Sequence, residues 1–206
     1  MIVRDLLGVD CQYKKIAIDS NNNIYACGYC PEWIIRRSTS GLSASFSTVD
    51  GLPTDSYATS IAIDSNNNIY VAGKDEDISD MVFKIRKSTT GISGSFVDVE
   101  GYSDGDAIAA DIAIDSNNIV YAVGRSKEGG SKWNWILRKS DTGASASFST
   151  TYTFTVVPTQ HSQCDHIDID SENNIYIGGI AILDAGGSYN GFVKKAVSDS
   201  AARNIC

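Results

Sequence analysis

The chain has 206 residues, of which 42% are hydrophobic and 9% aromatic, and it carries a formal net charge of −8. A chain of this length can bury one sizeable core, so we expect a single domain over residues 1–206. The acidity argues against nucleic acid as a partner, because phosphate binding depends on lysine and arginine. No run of 18 apolar residues is present, so membrane insertion is not expected either.

One phrase occurs four times along the chain with small changes. It reads IAIDSNNNIYACG at residues 16–28, IAIDSNNNIYVAG at 61–73, IAIDSNNIVYAVG at 112–124 and IDIDSENNIYIGG at 167–179. The phrases start 45, 51 and 55 residues apart, and a period of roughly 40 to 50 residues with several short strands is typical of a propeller blade. We therefore predict an all-β fold, a β-propeller of four blades.

Each unit resolves into four antiparallel strands. Ile-Ala-Ile-Asp begins the first strand, and the Ile-Tyr segment forms the second. Third strands are predicted at 33–38, 83–88 and 135–140, and fourth strands at 45–49, 95–99 and 147–151. The blades then cover approximately residues 10–49, 57–99, 108–151, and 163–198 together with 1–6.

Asp-Ser-Asn-Asn separates the first two strands of three units, and Asp-Ser-Glu-Asn does so in the fourth. A tight hairpin needs a residue that tolerates positive φ, and asparagine does so best after glycine. We place Asn22, Asn67, Asn118 and Asn173 in that conformation, with Asp19, Asp64, Asp115 and Asp170 bonding the turn backbone. Replacing Asn67 by glycine should then be neutral or slightly stabilising. A calcium loop is the alternative, but the glycine at position 6 and the acid at position 12 are missing, so no metal is predicted.

The third strand begins with an aromatic residue and carries an arginine three residues later in the first three units. Aromatic residues repeated at one blade position are predicted to be core wedges; they are Trp33, Phe83, Trp135 and Phe192. Arg36, Arg86 and Arg138 lie toward the same end of the sheet as the aspartates of the first hairpin. A structural ion pair between these arginines and aspartates is therefore possible.

The two ends of the chain occupy complementary positions of the repeat unit. The chain opens in a fourth-strand position and stops where that strand would be needed again. We predict that residues 2–6 pair with residues 192–196, so that the N-terminal strand closes the ring and removes exposed edges. Four units of a longer array would give the same count.

The phrase Asp-x-x-Asn-Asn-Ile-Tyr-x-x-Gly resembles the bacterial β-propeller repeat, usually Asp-x-x-Gly-Asn-x-Tyr-Val-x-Gly, with asparagine in place of the turn glycine. The segment RKSTTGISGSF is similar to a degenerate Asp-box hairpin of sialidases, although Asp141 alone approaches its aspartate. Arrays with such repeats occur in secreted and surface proteins of Gram-negative bacteria. The resemblance implies a secreted or cell-surface location and a role in adhesion, and it supports the fold rather than sialidase activity.

Comparison of the four units separates constant hairpins from variable connections. The connections between second and third strands, and between units, differ in length and content and emerge on one face. Loops on a rigid scaffold usually carry specificity, so we predict ligand binding there. The aromatic candidates are Tyr57, Tyr102, Trp133 and Tyr189, and the polar candidates are Asp55, Asp104, Asn134 and His161.

Five cysteines leave at least one thiol without an intramolecular partner. Cys11 and Cys206 both fall near the predicted seam of the ring, which favours a disulfide between them. His161, Cys164 and His166 supply at most three zinc ligands on one segment, short of a closed site. Cys27 and Cys30 form a C-x-x-C at a strand end, where a redox role is not expected.

These observations favour a non-enzymatic recognition module that binds glycan or a cell-surface protein and needs no cofactor. A glycosidase or lyase is the second hypothesis, but it needs a carboxylate pair over the axis, and the repeated arginines lie on scaffold strands. A structural spacer, with possible homo-oligomers, is the third. No catalytic residue is predicted.

Overall fold

The computed structural model describes residues 11–42, 45–76, 80–127, 130–154, 161–183 and 187–196. Its strands form four antiparallel sheets, numbered here along the chain. Sheet 1 contains β1 (Gln12–Ile18), β2 (Ile24–Tyr29), β3 (Glu32–Ser38) and β4 (Ser47–Thr54). Sheet 2 contains β5 (Tyr57–Ile63), β6 (Ile69–Glu76), β7 (Met81–Ser88) and β8 (Val97–Tyr102). Sheet 3 contains β9 (Ala107–Ile114), β10 (Val120–Ser126), β11 (Asn134–Ser140) and β12 (Ser149–Phe154). Sheet 4 contains β13 (Ser162–Ile169), β14 (Ile175–Ile182) and β15 (Tyr189–Ala196).

Each repeat unit forms one sheet, whose strands are hydrogen-bonded in chain order. This arrangement confirms the all-β prediction and the assignment of one antiparallel sheet to each unit. Sheets 1 to 3 have four strands, and sheet 4 has three within the described residues. Residues 2–6, predicted to be the fourth strand of sheet 4, lie outside the described residues.

The strand bounds differ from the predicted ones at two places. First strands start earlier than predicted, as in β1, which begins at Gln12 rather than Ile16. Fourth strands start two residues later and extend further, as in β4, which runs from Ser47 to Thr54. The preceding serine belongs to the hairpin, because Ser45 hydrogen-bonds through its hydroxyl to the hydroxyl of Ser38. The variable connections are therefore shorter than the sequence suggests.

Three apolar clusters lie between successive sheets and hold them face to face. Between sheets 1 and 2, Tyr25 and Ile35 of sheet 1 pack with Ile61 and Phe96 of sheet 2. Equivalent positions fill the other two clusters, so an interior sheet is apolar on both faces. The predicted wedges are confirmed as core in three units, where Trp33, Phe83 and Trp135 are fully buried, whereas Phe192 is partly buried.

Two of the three strand arginines, Arg86 and Arg138, pair between sheets rather than with the hairpin aspartates. Arg86 of sheet 2 lies 3.0 Å from Asp50 on the fourth strand of sheet 1. Arg138 of sheet 3 lies 3.0 Å from Glu100 on the fourth strand of sheet 2. The predicted pairing is wrong because the hairpin aspartates are occupied by their own turns. These ion pairs reinforce the sheet-to-sheet contacts.

The outer faces of sheets 1 and 4 leave repeat residues exposed. Ile16 is 63% exposed, whereas its equivalents Ile61 and Ile112 are 2% and 1% exposed. Tyr176 is 36% exposed, whereas its equivalents Tyr25 and Tyr70 are each 1% exposed. The two end faces thus carry the same residue types that meet inside the three interior interfaces.

The turn between first and second strands has the predicted geometry in all four units. Asn22, Asn67, Asn118 and Asn173 have φ of 62°, 62°, 63° and 62°. In the first unit the carboxylate of Asp19 accepts hydrogen bonds from the backbone N–H groups of Asn21 and Asn23, at 2.9 and 2.8 Å. The corresponding aspartates of the other units do the same. Both the positive φ and the aspartate caps are confirmed.

Three of the four asparagines at positive φ also link neighbouring sheets, a role that glycine could not fill. The amide of Asn67 donates to the Ser20 hydroxyl at 2.7 Å and accepts from the Ser20 backbone N–H at 2.9 Å. Asn118 bonds Ser65 in the same way, and Asn173 bonds Ser116. A side-chain link that repeats at every interior interface contributes to the stacking of the sheets.

These links change the expected effect of Asn67→Gly. Glycine tolerates the positive φ, but it removes two hydrogen bonds to sheet 1, so we expect a loss of about 1 kcal/mol in unfolding free energy. Asn22 has the same φ, and no described residue bonds its side chain, so Asn22→Gly should be neutral or slightly stabilising. Chemical denaturation of both variants measures the difference; equal stabilities would mean that the links contribute nothing.

Candidate functional site

A β-bulge in the first strand of every sheet shapes the site. The final glycine of the repeated phrase lies opposite the bulge, and its backbone is closely approached by the first strand. A Cβ on Gly73 would lie 2.1 Å from the carbonyl oxygen of Tyr57, and one on Gly124 would lie 2.0 Å from that of Ile108. Glycine is therefore required there. The register shifts leave one extra residue in each first strand; these residues are Lys14, Thr59, Ala110 and Asp165.

A cavity of about 170 Å³ lies at the variable ends of sheets 2, 3 and 4. Three of the four bulge residues line it, because a bulge turns an additional side chain out of the ladder. The full lining consists of Tyr57, Thr59, Ile108, Ala109, Ala110, Arg125, Gln163, Cys164 and Asp165. Cavities that enclose whole drug-sized ligands have roughly 300–1,000 Å³. This one therefore accommodates a single group of a ligand, such as one sugar ring.

Arg125 at the end of β10 is the cationic group of the cavity. Its guanidinium carbon lies 4.4 Å from the centroid of the Trp133 ring. Its Nη1 donates a hydrogen bond to Oε1 of Gln163 on β13, at 2.5 Å. Stacking on one side and a hydrogen bond on the other hold the guanidinium in one position.

Asp165 is the carboxylate of the cavity. Its Oδ1 accepts a hydrogen bond from Nε2 of Gln163 at 3.0 Å, so Gln163 joins the acid to Arg125. Burial raises the pKa of Asp165 above the usual value for an aspartate. The arrangement places a donor fork and an acceptor side by side, as recognition of a polar ligand requires.

His161 borders this group, with three cationic side chains near it. Its Nδ1 accepts a hydrogen bond from the backbone N–H of Trp133 at 3.3 Å. Burial lowers the pKa of His161, and the charges of Lys132, Lys127 and Arg125 lower it further. Lysine and arginine side chains thus gather near His161, although the chain as a whole has a formal charge of −8.

One residue beyond Ala110, the carboxylate of Asp111 connects all four sheets. Its Oδ1 accepts hydrogen bonds from Nζ of Lys15 at 2.7 Å and from the hydroxyl of Ser60 at 2.6 Å. Its Oδ2 accepts from the backbone N–H of Ile167 at 3.1 Å. Asp111 therefore anchors the first strands around a common centre next to the cavity.

The structure brings three of the predicted ligand residues to this region. Tyr57 lines the cavity, and Trp133 and His161 border it through the contacts described above. The Trp133 ring is occupied by Arg125 and by Nζ of Lys127, the latter 4.9 Å from its centroid. Trp133 consequently acts by holding Arg125 rather than as an open stacking surface.

The other predicted aromatic residues lie on other strands. Tyr102 ends the outer strand β8, packs on the core cluster of sheets 2 and 3, and has the guanidinium carbon of Arg138 4.4 Å from its ring centroid. Tyr189 begins β15 and is 64% exposed. The cavity lining includes neither of them.

The remaining polar candidates lie in connections or at strand ends. Asp55 is an exposed turn residue with φ of 71°, and Asp104 is exposed in the connection before β9. Asn134 begins β11, and its amide donates to the backbone oxygen of Lys132 at 3.4 Å. None of the three lines the cavity.

The disulfide predicted between Cys11 and Cys206 is wrong, because Cys11 is bonded to Cys30. The pairing joins the start of β1 to the connection after β2, which the β1–β2 ladder already brings together. Cys27 and Cys164 are buried free thiols, and burial raises the pKa of each to about 12. Within the described part of the chain, no three His, Cys, Asp or Glu residues are grouped to hold a metal ion.

Sequence reasoning placed Arg125, Gln163 and Asp165 in the variable connections over residues 125–135 and 156–166 but singled out none of the three as a ligand residue. The signal that could have found Asp165 is the glycine that ends each phrase. In all four units, a Cβ added to this glycine would lie about 2 Å from a carbonyl oxygen of the first strand; the glycines are Gly28, Gly73, Gly124 and Gly179. The contact between Arg125 and Gln163 joins two sheets and has no signature in the sequence.

Comparison with known proteins supports the fold. Residues 50–74 match the model of the SBBP family, described as a beta-propeller repeat, which confirms the predicted resemblance to the bacterial β-propeller repeat. No curated protein matches the chain. The crystal structure of an endo-arabinase from Bacteroides thetaiotaomicron VPI-5482 is similar over 97% of this chain and 78% of that chain, with 11% identity and a TM-score of 0.52. At this identity the similarity concerns the fold alone. In the described residues no helix is long and apolar enough to cross a membrane.

Proposed function

We propose that the chain is a four-bladed β-propeller that acts as a non-enzymatic recognition module, secreted or at the cell surface, as part of a bacterial adhesin or surface fibre. It binds glycan or a cell-surface protein through the face of variable connections. The observation that carries this proposal is the cavity at that face, where Arg125, Gln163 and Asp165 converge beside Tyr57. Selective binding sites typically place a small number of fixed polar groups in a cavity that fits the ligand.

We further propose that the ring closes between sheets 4 and 1. The outer faces of sheets 1 and 4 support closure. Ile16 and Tyr176 are exposed on these faces, whereas the residues at their repeat positions are buried at every interior interface. The bonds from Lys15 of sheet 1 and Ile167 of sheet 4 to Asp111 also bring these two sheets to one centre. Closure would cover both faces and complete the ring.

The proposed site is tested by finding a ligand on a glycan array. Single side chains on each of the two faces are then replaced by alanine, and binding of the ligand is measured. Tyr57→Ala should weaken binding by about 1–3 kcal/mol, because an aromatic residue in a binding cavity contributes heavily. Asn22→Ala on the opposite face is the control and should bind normally. If Asn22→Ala abolishes binding in folded protein while Tyr57→Ala does not, the assignment of the binding face is wrong.

An enzyme of the glycosidase kind is the alternative, because the similar solved structure is named an endo-arabinase. Glycoside hydrolysis usually requires two carboxyl groups flanking the bond. Asp165 is the single carboxylate in the described lining of the cavity, and Asp111 is engaged by Lys15, Ser60 and Ile167. Release of reducing ends from arabinan that is abolished by Asp165→Asn would establish the enzyme in place of the binding module.

A further inference from the structure

Arg125 differs from the two paired strand arginines and from Lys127 because it forms no ion pair within the described residues. Arg86 and Arg138 pair with carboxylates of the neighbouring sheet, and Lys127 pairs with Asp106 at 2.5 Å. Arg125 instead donates to the neutral amide of Gln163. Among the described residues, no carboxylate lies within ion-pair distance of its guanidinium. This cation at the cavity therefore has no contact ion pair among the described residues, and the nearby carboxylate of Asp165 interacts with it without touching it.

The Arg125 side chain is also held ready for a ligand. A guanidinium has five N–H donors in a planar fork, and the bond to Gln163 uses one of them. The Trp133 ring at 4.4 Å fixes the plane of the fork. A carboxylate accepts two parallel bonds from such a fork, and pre-positioning reduces the entropy lost on binding.

The electrostatic surroundings favour an anion at this place. Lys132, Lys127 and Arg125 all lie near enough to His161 to lower its pKa, although the charge of Lys127 is balanced by its ion pair with Asp106. Asp165 is the acid on the other side of Gln163, and its second oxygen can accept a hydrogen bond from a hydroxyl. A ligand that binds both Arg125 and Asp165 carries a carboxylate and hydroxyl groups on one small ring.

We propose that the cavity binds a uronic-acid sugar, with the carboxylate on Arg125 and a hydroxyl on Asp165. This inference rests on the proposed recognition function and specifies the class of its ligand. The cavity of about 170 Å³ limits the enclosed part to one sugar unit, and the rest of the glycan lies outside it. Gln163 sets the spacing between the two contacts because it bonds both residues.

The test compares galacturonic and glucuronic acid oligosaccharides with the same oligosaccharides after reduction of their carboxyl groups to alcohols. Isothermal titration with the unmodified protein should show at least tenfold tighter binding of the acidic forms. Arg125→Gln should remove this preference, and Arg125→Lys, which keeps the charge but loses the fork, should retain part of it. Lys139→Gln is the control, since Lys139 pairs with the largely exposed Asp141 on the 3–4 hairpin.

The outcomes separate this inference from the function on which it rests. Equal binding of acidic and reduced oligosaccharides overturns the uronic-acid assignment but keeps glycan recognition. An acidic preference that survives in Arg125→Gln also overturns it, because the anion is then held elsewhere. Absence of binding to every glycan tested on an array contradicts glycan recognition and the inference together. The comparison of ligands uses unmodified protein, so it does not depend on whether the variants fold.

Discussion

Ile112→Ala is expected to lower the free energy of unfolding by about 2–5 kcal/mol, because it removes a buried aliphatic side chain and leaves a cavity between sheets 2 and 3. Ile112 is 1% exposed and belongs to the apolar cluster of these two sheets. Urea denaturation followed by circular dichroism measures the change. Ile92→Ala is the matched control, since Ile92 is 51% exposed on a hairpin and its loss should cost less than about 0.5 kcal/mol. Similar losses in the two variants would contradict the role of the intersheet cluster.

The same substitution at Ile16 tests closure of the ring. Ile16 occupies the repeat position of Ile112 but is 63% exposed on the outer face of sheet 1. If sheet 4 covers that face, as we propose, Ile16→Ala should cost at least about 1 kcal/mol, approaching the loss at a buried site. A loss no greater than that of Ile92→Ala would show that the face stays open. Light scattering identifies the monomer, so that burial against a second copy is distinguished from closure within one chain.

Asp111→Ala is the second substitution with a large expected effect. It removes the acceptor for the Ser60 hydroxyl and for the Ile167 backbone N–H. Each buried donor left without a partner costs about 1–3 kcal/mol, so we expect a total loss of roughly 2–6 kcal/mol. Lys15 contributes less, because its side chain is 42% exposed and can reach solvent.

Two variants serve as controls for the Asp111 experiment. Asp168→Ala removes an exposed carboxylate from the same strand that carries Ile167, and it should cost less than about 0.5 kcal/mol. Asp111→Asn keeps one acceptor oxygen and should fall between the other two in thermal unfolding. A stability of Asp111→Ala equal to that of Asp168→Ala would show that the four-sheet connection is energetically unimportant.

The repeated phrase by itself determined the local structure. Four turns, their positive φ at asparagine and their aspartate caps follow from residues within five positions of one another. The period of the repeat also predicted one antiparallel sheet per unit, and the aromatic residue that recurs at one blade position predicted the burial of Trp33, Phe83 and Trp135. The turns are predictable because both partners of each interaction lie in the same short segment, and the sheets and buried aromatics are predictable because their pattern recurs from unit to unit.

Contacts between sheets were decided only by the tertiary structure. Arg125 and Gln163 are 38 positions apart, and Lys15 and Asp111 are 96 apart. The repeat pattern does not specify these pairs, because the residues that form them differ from unit to unit. The Asn67 link to Ser20 does recur, but the turn alone already accounts for an asparagine there and so hides its second role. The cavity combines one bulge residue each from sheets 2, 3 and 4 with Arg125, and its chemistry exists only once stacking of the sheets fixes the distances between their first strands.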